Sequence, residues 1–170
     1  MADATPPFPV PDVRTGIGWD SHRLVEGRPL ILGGIRIESA VGLDGHSDAD
    51  VLTHAVIDAL LGAIGGGDIG EHFPDSDERW RGADSIALLR HVVGLVAASG
   101  FVVIAVDATV ILERPKLAPH KRAMAERLAE TLAIDPARVN VKATTAERLD
   151  AVGRGEGAVA QAVATVVRPA

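Results

Sequence analysis

Asp20, His22 and His54 constrain this chain most, because they can act together only if a strand meets a helix face to face. In an extended segment side chains two apart share a face, so Asp20 and His22 can point the same way. Val51-Leu52-Thr53-His54-Ala55-Val56-Ile57-Asp58-Ala59-Leu60-Leu61 has the length and apolar spacing of a helix, with His54 in its first half. A strand offering Asp and His, met by a helix offering His, supplies two nitrogens and one oxygen. Three protein ligands with an open fourth position describe a catalytic zinc rather than a structural one. Asp-x-His alone is common by chance, and a mid-helix histidine more often fills a core or faces solvent. The trio therefore needs support from the rest of the chain.

Composition narrows the class. At 170 residues the expectation is one domain. Hydrophobic residues make up 47 % and aromatics only 3 %, with Ala and Val dominant, so close packing through small side chains is expected. A formal net charge of −6 argues against general nucleic-acid binding. Without cysteine neither a disulfide framework nor a Cys-based zinc site can form. The apolar runs are far shorter than a membrane span, and the N-terminus lacks a basic-then-apolar leader pattern. A cytoplasmic enzyme fits these features.

Residues 1–12 carry Pro6, Pro7, Pro9 and Pro11 without periodicity and read as a flexible tail ahead of a single domain over residues 13–170. Apolar segments from Arg14 to Leu24 and from Pro29 to Ile37 flank Glu26-Gly27-Arg28, a hairpin signal, and Gly33-Gly34 marks a bulge or a bend. Ser47 with Asp50 has the form of a capping box for the first helix, which ends at Gly65-Gly66-Gly67. Asp68 to Gly82 reads as a long loop, and loops of that length are often functional. Asp84 to Ser99 is a predicted helix with Ile86, Leu89, Val93 and Val96 on one stripe and Gly100 as its stop. Val102, Ile104, Val106, Ala108, Val110 and Leu112 alternate as a strand face. Pro119 opens a helix that turns Met124, Leu128 and Leu132 inward, Val139 to Ala143 is a strand, and Gly157 to Val167 a last helix. Alternating strands and helices of this size suit a two-layer α/β sandwich with helices on one sheet face.

Further motifs follow in order: His46-Ser47-Asp48-Ala49-Asp50, Gly67-Asp68-Ile69-Gly70, Phe73-Pro74-Asp75-Ser76-Asp77, Gly82-Ala83-Asp84-Ser85, Arg114-Pro115-Lys116-Leu117, Val139 to Thr145 and Gly153-Arg154-Gly155-Glu156-Gly157. With Asp20-x-His22 and His54 the series closely resembles the 2-C-methyl-D-erythritol 2,4-cyclodiphosphate synthase family of non-mevalonate isoprenoid biosynthesis, from about Arg14 to Arg168. The resemblance implies an α+β fold, a ferredoxin-like variant of the two-layer sandwich with a mixed sheet, assembled as a homotrimer. It implies a CDP-linked methylerythritol 2-phosphate substrate whose 2-phosphate attacks its own β-phosphorus and releases CMP. Positioning and charge neutralisation dominate such phosphoryl transfer.

On that resemblance Asp20, His22 and His54 hold Zn²⁺ or another divalent transition metal. Glu147 is the carboxylate for Mg²⁺ or Mn²⁺ shared with the substrate diphosphate; spacing alone leaves it a solvated carboxylate at a helix start. His46 and Ser47 position the 2-phosphate, although Ser47 can also simply cap the helix. His46, Thr145 and Glu147 form the catalytic set. Asp68 and Gly70 fall at positions that bind the erythritol or ribose hydroxyls, and Asp75 is counted among the substrate-binding residues. Leu112, Pro115, Lys116, Leu117 and Ala118 form the cytidine pocket, completed by a neighbouring subunit. Thr144 and Thr145 offer phosphate-contacting hydroxyls. Arg154 lies with Trp19 and Ala151 near a central trimer cavity, and Trp19, Ser21 and Asp150-Ala151 depart from the family pattern. Asp50 and Asp58 flank His54 by four residues, and one of them can accept a hydrogen bond from a ligand histidine; equally, Asp50 can serve only the helix cap. His72, His91 and His120 fall outside the metal set. A zinc hydrolase of a nucleotide or phosphoester is the alternative, though no residue stands out as a base for water.

Overall fold

In the computed structural model, which describes residues 11–169, two long strands organise the sheet: β1 (Val13–Glu26) and β7 (Gly157–Val167). They pair antiparallel from Val13 opposite Val167 to Arg23 opposite Gly157. A hairpin follows β1, made of β2 (Leu30–Leu32) and β3 (Ile35–Ile37), and then comes β4 (Val41–Leu43). With β5 (Val102–Ile111) and β6 (Val139–Thr144) the main sheet runs β4-β1-β7-β5-β6, and only β5 and β6 are parallel.

Three helices, α1 (Val51–Ile64), α3 (Ser85–Ala98) and α4 (Lys121–Leu132), cover one face of that sheet, so the mixed sheet and one-sided helical layer agree with the expected sandwich. Two single-turn helices, α2 (Ile69–His72) and α5 (Asp150–Gly153), lie in the loops, as does a 3₁₀ turn at Glu78–Trp80. No helix among the described residues is long and apolar enough to cross a membrane.

Small residues set how closely the layers approach. Ala158, Ala160, Ala162 and Ala164 of β7 are buried on the helical face. On β1 the same face carries Gly16 and Gly18, directly against α1. A Cβ on Gly18 would stand 1.9 Å from the Ala55 carbonyl oxygen, and one on Gly16 2.1 Å from that of Ala59. Strand alternation then puts Asp20 and His22 on that face too, one and two steps further along, where the N-terminal half of α1 begins.

Several local expectations change. Gly157 to Val167 is a strand, not a helix: its buried positions recur every second residue, and the alanines that suggest a helix are there for their size. The Glu26-Gly27-Arg28 segment does not join a β1–β2 hairpin, since β1 pairs with β4 and β7. The tight turn is Gly33-Gly34, whose φ values of 58° and 71° need glycine and join β2 to β3. Asp50, not Ser47, caps α1, its carboxylate accepting from Thr53 N at 3.0 Å. The alternation read for β5 breaks at a bulge between Val103 and Ala105, which buries Val103 and leaves Val102 exposed. The tail expectation for residues 1–12 lies largely outside the described residues, but Asp12 is held: its carbonyl accepts from Arg168 N at 2.9 Å.

Candidate metal centre and substrate clefts

β1 and α1 bring the three expected ligands together. Asp20 Oδ2 lies 2.9 Å from His54 Nδ1 and 3.0 Å from His22 Nε2, and the two nitrogens are 3.3 Å apart. All three atoms lie within 4.8 Å of one another. The other ring nitrogen of His22 is 2.7 Å from the Asp44 carbonyl, an acceptor that keeps a proton on Nδ1, so Nε2 is the atom that would give up its proton to bind a metal. Two imidazole nitrogens and one carboxylate oxygen match a divalent transition metal with an open position.

Asp20 and His22 shift each other's ionisation. Burial works against ionising Asp20, yet hydrogen bonds from His22 and His54 and their positive charge hold its carboxyl well below the usual range. Burial also disfavours the charged form of His22, but the hydrogen bond and charge of Asp20 prevail and raise it above the ordinary imidazole value. Asp50 and Asp58 do not bond the ligand histidines. Asp50, fully buried and pushed up by that burial, accepts from Gly33 N (2.9 Å), Gly34 N (2.6 Å) and Thr53. Asp58 accepts from Ile69 N at 2.8 Å; burial and the negative charges of Asp68 and Asp20 push it up.

The trio opens into a cleft of about 480 Å³ that is also lined by His46, Ser47, Ile69, Gly70, Phe73, Pro74, Asp75 and Trp80. His46 Nε2 and Trp80 Nε1 are buried in its walls without a hydrogen-bond partner among the described residues. Asp68 does not line it but caps α2, accepting from Glu71 N at 3.0 Å. Leu112, Pro115, Lys116, Leu117, Ala118, Thr144 and Thr145 line a second, smaller cleft of about 130 Å³ with no wall residue in common with the first. Glu147 neighbours it, accepting from Thr145 Oγ1 at 2.6 Å, and the stretch is strained, with φ of 51° at Glu147 and 65° at Arg148. Arg154 stands apart, in a hollow with Glu113, Arg114 and Arg148.

A family model described as the YgbB family matches residues 13–167. The chain belongs to the YgbB family. Among its relatives, the 2-C-methyl-D-erythritol 2,4-cyclodiphosphate synthase of Solibacter usitatus is 54 % identical over 155 residues, covering 91 % of this chain and 98 % of that protein. The synthase of the same name from Synechococcus elongatus is 56 % identical over 155 residues, with 91 % and 97 % covered. A solved structure of a synthase of this name in a CDP-bound form superposes with a TM-score of 0.82 at 44 % identity, covering 89 % of this chain and 98 % of that one.

This YgbB-family chain also shows residues around the centre that sequence reasoning did not assign. Asp44 bonds His22, and Ser85 Oγ lies 2.9 Å from His54 Nε2. Arg28 donates to the carbonyls of Gly45 (2.9 Å) and Ser47 (2.7 Å), holding the His46-Ser47 loop. Glu113 accepts from Ala146 N and Arg148 N and props the strained loop that carries Glu147. Of these, Ser85 lay within a motif already singled out and Arg28 within a segment read only as a turn, while Asp44 and Glu113 drew no notice.

Proposed function

We propose that this chain converts 4-CDP-2-C-methyl-D-erythritol 2-phosphate to CMP and the cyclic 2,4-diphosphate, the product for which its relatives are named. The observation that carries the reading is the meeting of Asp20, His22 and His54 at the mouth of a cleft walled by His46 and Ser47. In the step proposed, an oxygen of the 2-phosphate bonds to the β-phosphorus and the bond to the α-phosphate oxygen breaks. CMP leaves with that electron pair, and no water is consumed. Zinc at the trio and magnesium near Glu147, when bound, supply Lewis acidity and neutralise phosphate charge.

The chain's own residues position the reactants. His46, with its buried and unpartnered Nε2, and Ser47, in the loop ahead of α1, suit the 2-phosphate. Gly70 and Asp75 receive the methylerythritol, with Asp68 beyond the cleft wall at α2. Leu112, Pro115, Lys116, Leu117 and Ala118 enclose the cytosine and ribose, while Thr144 and Thr145 donate to the phosphates. Glu147 holds Mg²⁺ or Mn²⁺. Arg154 remains a peripheral anion contact.

The same proposal includes a homotrimer. The sheet face away from the helices leaves Ile17 72 %, Trp19 54 % and Val163 40 % exposed, and Ile17 and Val163 are cross-strand partners. Apolar residues clustered on a strand face suit burial by other copies. Such packing would let the nucleotide cleft of one subunit complete the metal cleft of the next. The reaction is placed in the cytoplasm, with residues 13–170 as its single domain. A zinc-dependent hydrolase is the second reading, since the trio alone would serve it. The test is incubation with the CDP-linked substrate. Equimolar CMP and cyclic diphosphate support the proposal; CMP with an open-chain bisphosphate overturns it.

A further inference from the structure

We infer that Asp48 and Ser85 are positioning residues that fix which ring nitrogen of His54 faces the metal position. The inference rests on the metal reading of Asp20, His22 and His54. With a metal at Nδ1, the ring proton of His54 sits on Nε2 and needs an acceptor. Nε2 lies 2.9 Å from Ser85 Oγ and 3.2 Å from Ser47 Oγ. A serine hydroxyl can give or accept, so the serine alone does not settle the direction.

Asp48 settles it. Ser85 gives both its hydrogens to that carboxylate: the hydroxyl to Oδ1 and, at 3.0 Å, the backbone N–H to Oδ2. An ionised carboxylate only accepts, and a hydroxyl has one hydrogen. With that hydrogen committed to Asp48, Ser85 Oγ can only accept from His54 Nε2. The chain Asp48–Ser85–His54 thus keeps the Nε2 proton in place, so that Nδ1, which faces Asp20 and His22, is the nitrogen that gives up its proton to a metal. His22 reaches the same result by a shorter route, through the Asp44 carbonyl.

The surrounding backbone holds the relay still. Asp48 N donates to Ala83 O at 3.0 Å, and Gly82 N to His46 O at 2.8 Å, so the two segments are stitched together. Ser85 is the first residue of α3, whose cap Asp84 accepts from Ile86 N at 2.9 Å, and it is fully buried. Ser47 Oγ already accepts from Ala49 N at 3.1 Å, which makes it the weaker second acceptor for His54.

The arrangement gives an order of effects that a purely structural role would not. In Asp48→Asn, the Ser85 N–H must keep an oxygen acceptor, so the new amide turns its NH₂ toward Ser85 Oγ. The hydroxyl then points its hydrogen at His54 Nε2, opposing the proton that must sit there when Nδ1 binds metal. In Ser85→Ala, Ser47 remains as a fallback. Zinc affinity, measured by chelator competition on each folded protein, is expected to fall toward 100-fold in Asp48→Asn and nearer 10-fold in Ser85→Ala, within the usual range for such outer partners of about 10–100-fold. Ser85→Thr, which keeps the hydroxyl, is expected to stay close to wild type. In the zinc-loaded protein the His54 Nε2–H is expected by ¹⁵N NMR as a slowly exchanging proton in wild type and a fast one in Ser85→Ala. Wild-type zinc affinity and an unchanged Nε2–H in both Asp48→Asn and Ser85→Ala overturn the relay. A wild-type protein that binds no zinc overturns instead the metal reading beneath it.

Discussion

Gly18→Ala tests how the sheet-to-helix contact builds the metal centre. The added Cβ would lie 1.9 Å from Ala55 O and 2.7 Å from Ala59 N, both backbone atoms of α1, so no side chain can swing aside. Ordinary contact begins near 3.4 Å, so β1 and α1 must separate by roughly 1 Å or more. Overpacking of this kind costs about 1–3 kcal/mol, and backbone against backbone belongs at the upper end. For a chain of this length each kcal/mol moves Tm by about 2–4 °C, so a fall of roughly 5–10 °C is expected. The same separation pulls His54, on α1, away from Asp20 and His22, on β1, whereas metal–ligand distances tolerate only about 0.2 Å. Zinc affinity should therefore fall along with Tm. Gly62→Ala, on α1 against the same strand, is the control: its Cβ would meet nothing nearer than Ile17 O at 3.8 Å. Alanine there favours the helix by about 0.5–1 kcal/mol and should raise Tm slightly. Calorimetry and metal titration of both variants decide the matter. A Gly18→Ala protein with wild-type Tm and zinc affinity would refute the close-approach reasoning.

His54→Ala is expected to keep its fold while losing zinc by more than about 100-fold and activity in parallel, read by elemental analysis and product formation. In the wild type, zinc affinity should weaken as pH falls through the raised pKa of His22, because its charged form cannot ligate; titrations between about pH 6 and 8 check this. Glu147→Gln should keep zinc and nucleotide binding yet turn over roughly 10²-fold more slowly, with partial rescue at high Mg²⁺; an unchanged Mg²⁺ dependence would return Glu147 to a surface role. Val163→Glu places a charge on the open sheet face and should convert the proposed trimer to smaller species in sedimentation, whereas a trimer that persists in the variant would move the interface elsewhere.

The meeting of Asp20, His22 and His54 was legible because its signal is local: two residues on one strand face and one in the first half of a helix. The segment assigned to cytidine was singled out only by resemblance; the structure gathers Leu112, Pro115, Lys116, Leu117 and Ala118 around one cleft. What escaped notice depends on distant pairing. β7 read as a helix because alanine favours helices on its own, while its alternating burial follows from lying between β1 and β5. Ser85 gave no sign of touching His54, since the contact exists only once α3 packs on α1. Asp50 looked like a partner for His54 by helical spacing, but the nearby Gly33-Gly34 turn offers two backbone donors that claim it.

The most direct test of the central claim is where oxygen from water goes. The purified, metal-loaded protein is incubated with 4-CDP-2-C-methyl-D-erythritol 2-phosphate in H₂¹⁸O, and the phosphorus products are resolved by ³¹P NMR and mass spectrometry. Attack by the substrate's own 2-phosphate should give CMP and a cyclic diphosphate, neither carrying a label. One ¹⁸O in the released CMP or methylerythritol bisphosphate would show attack by water and contradict the cyclising assignment.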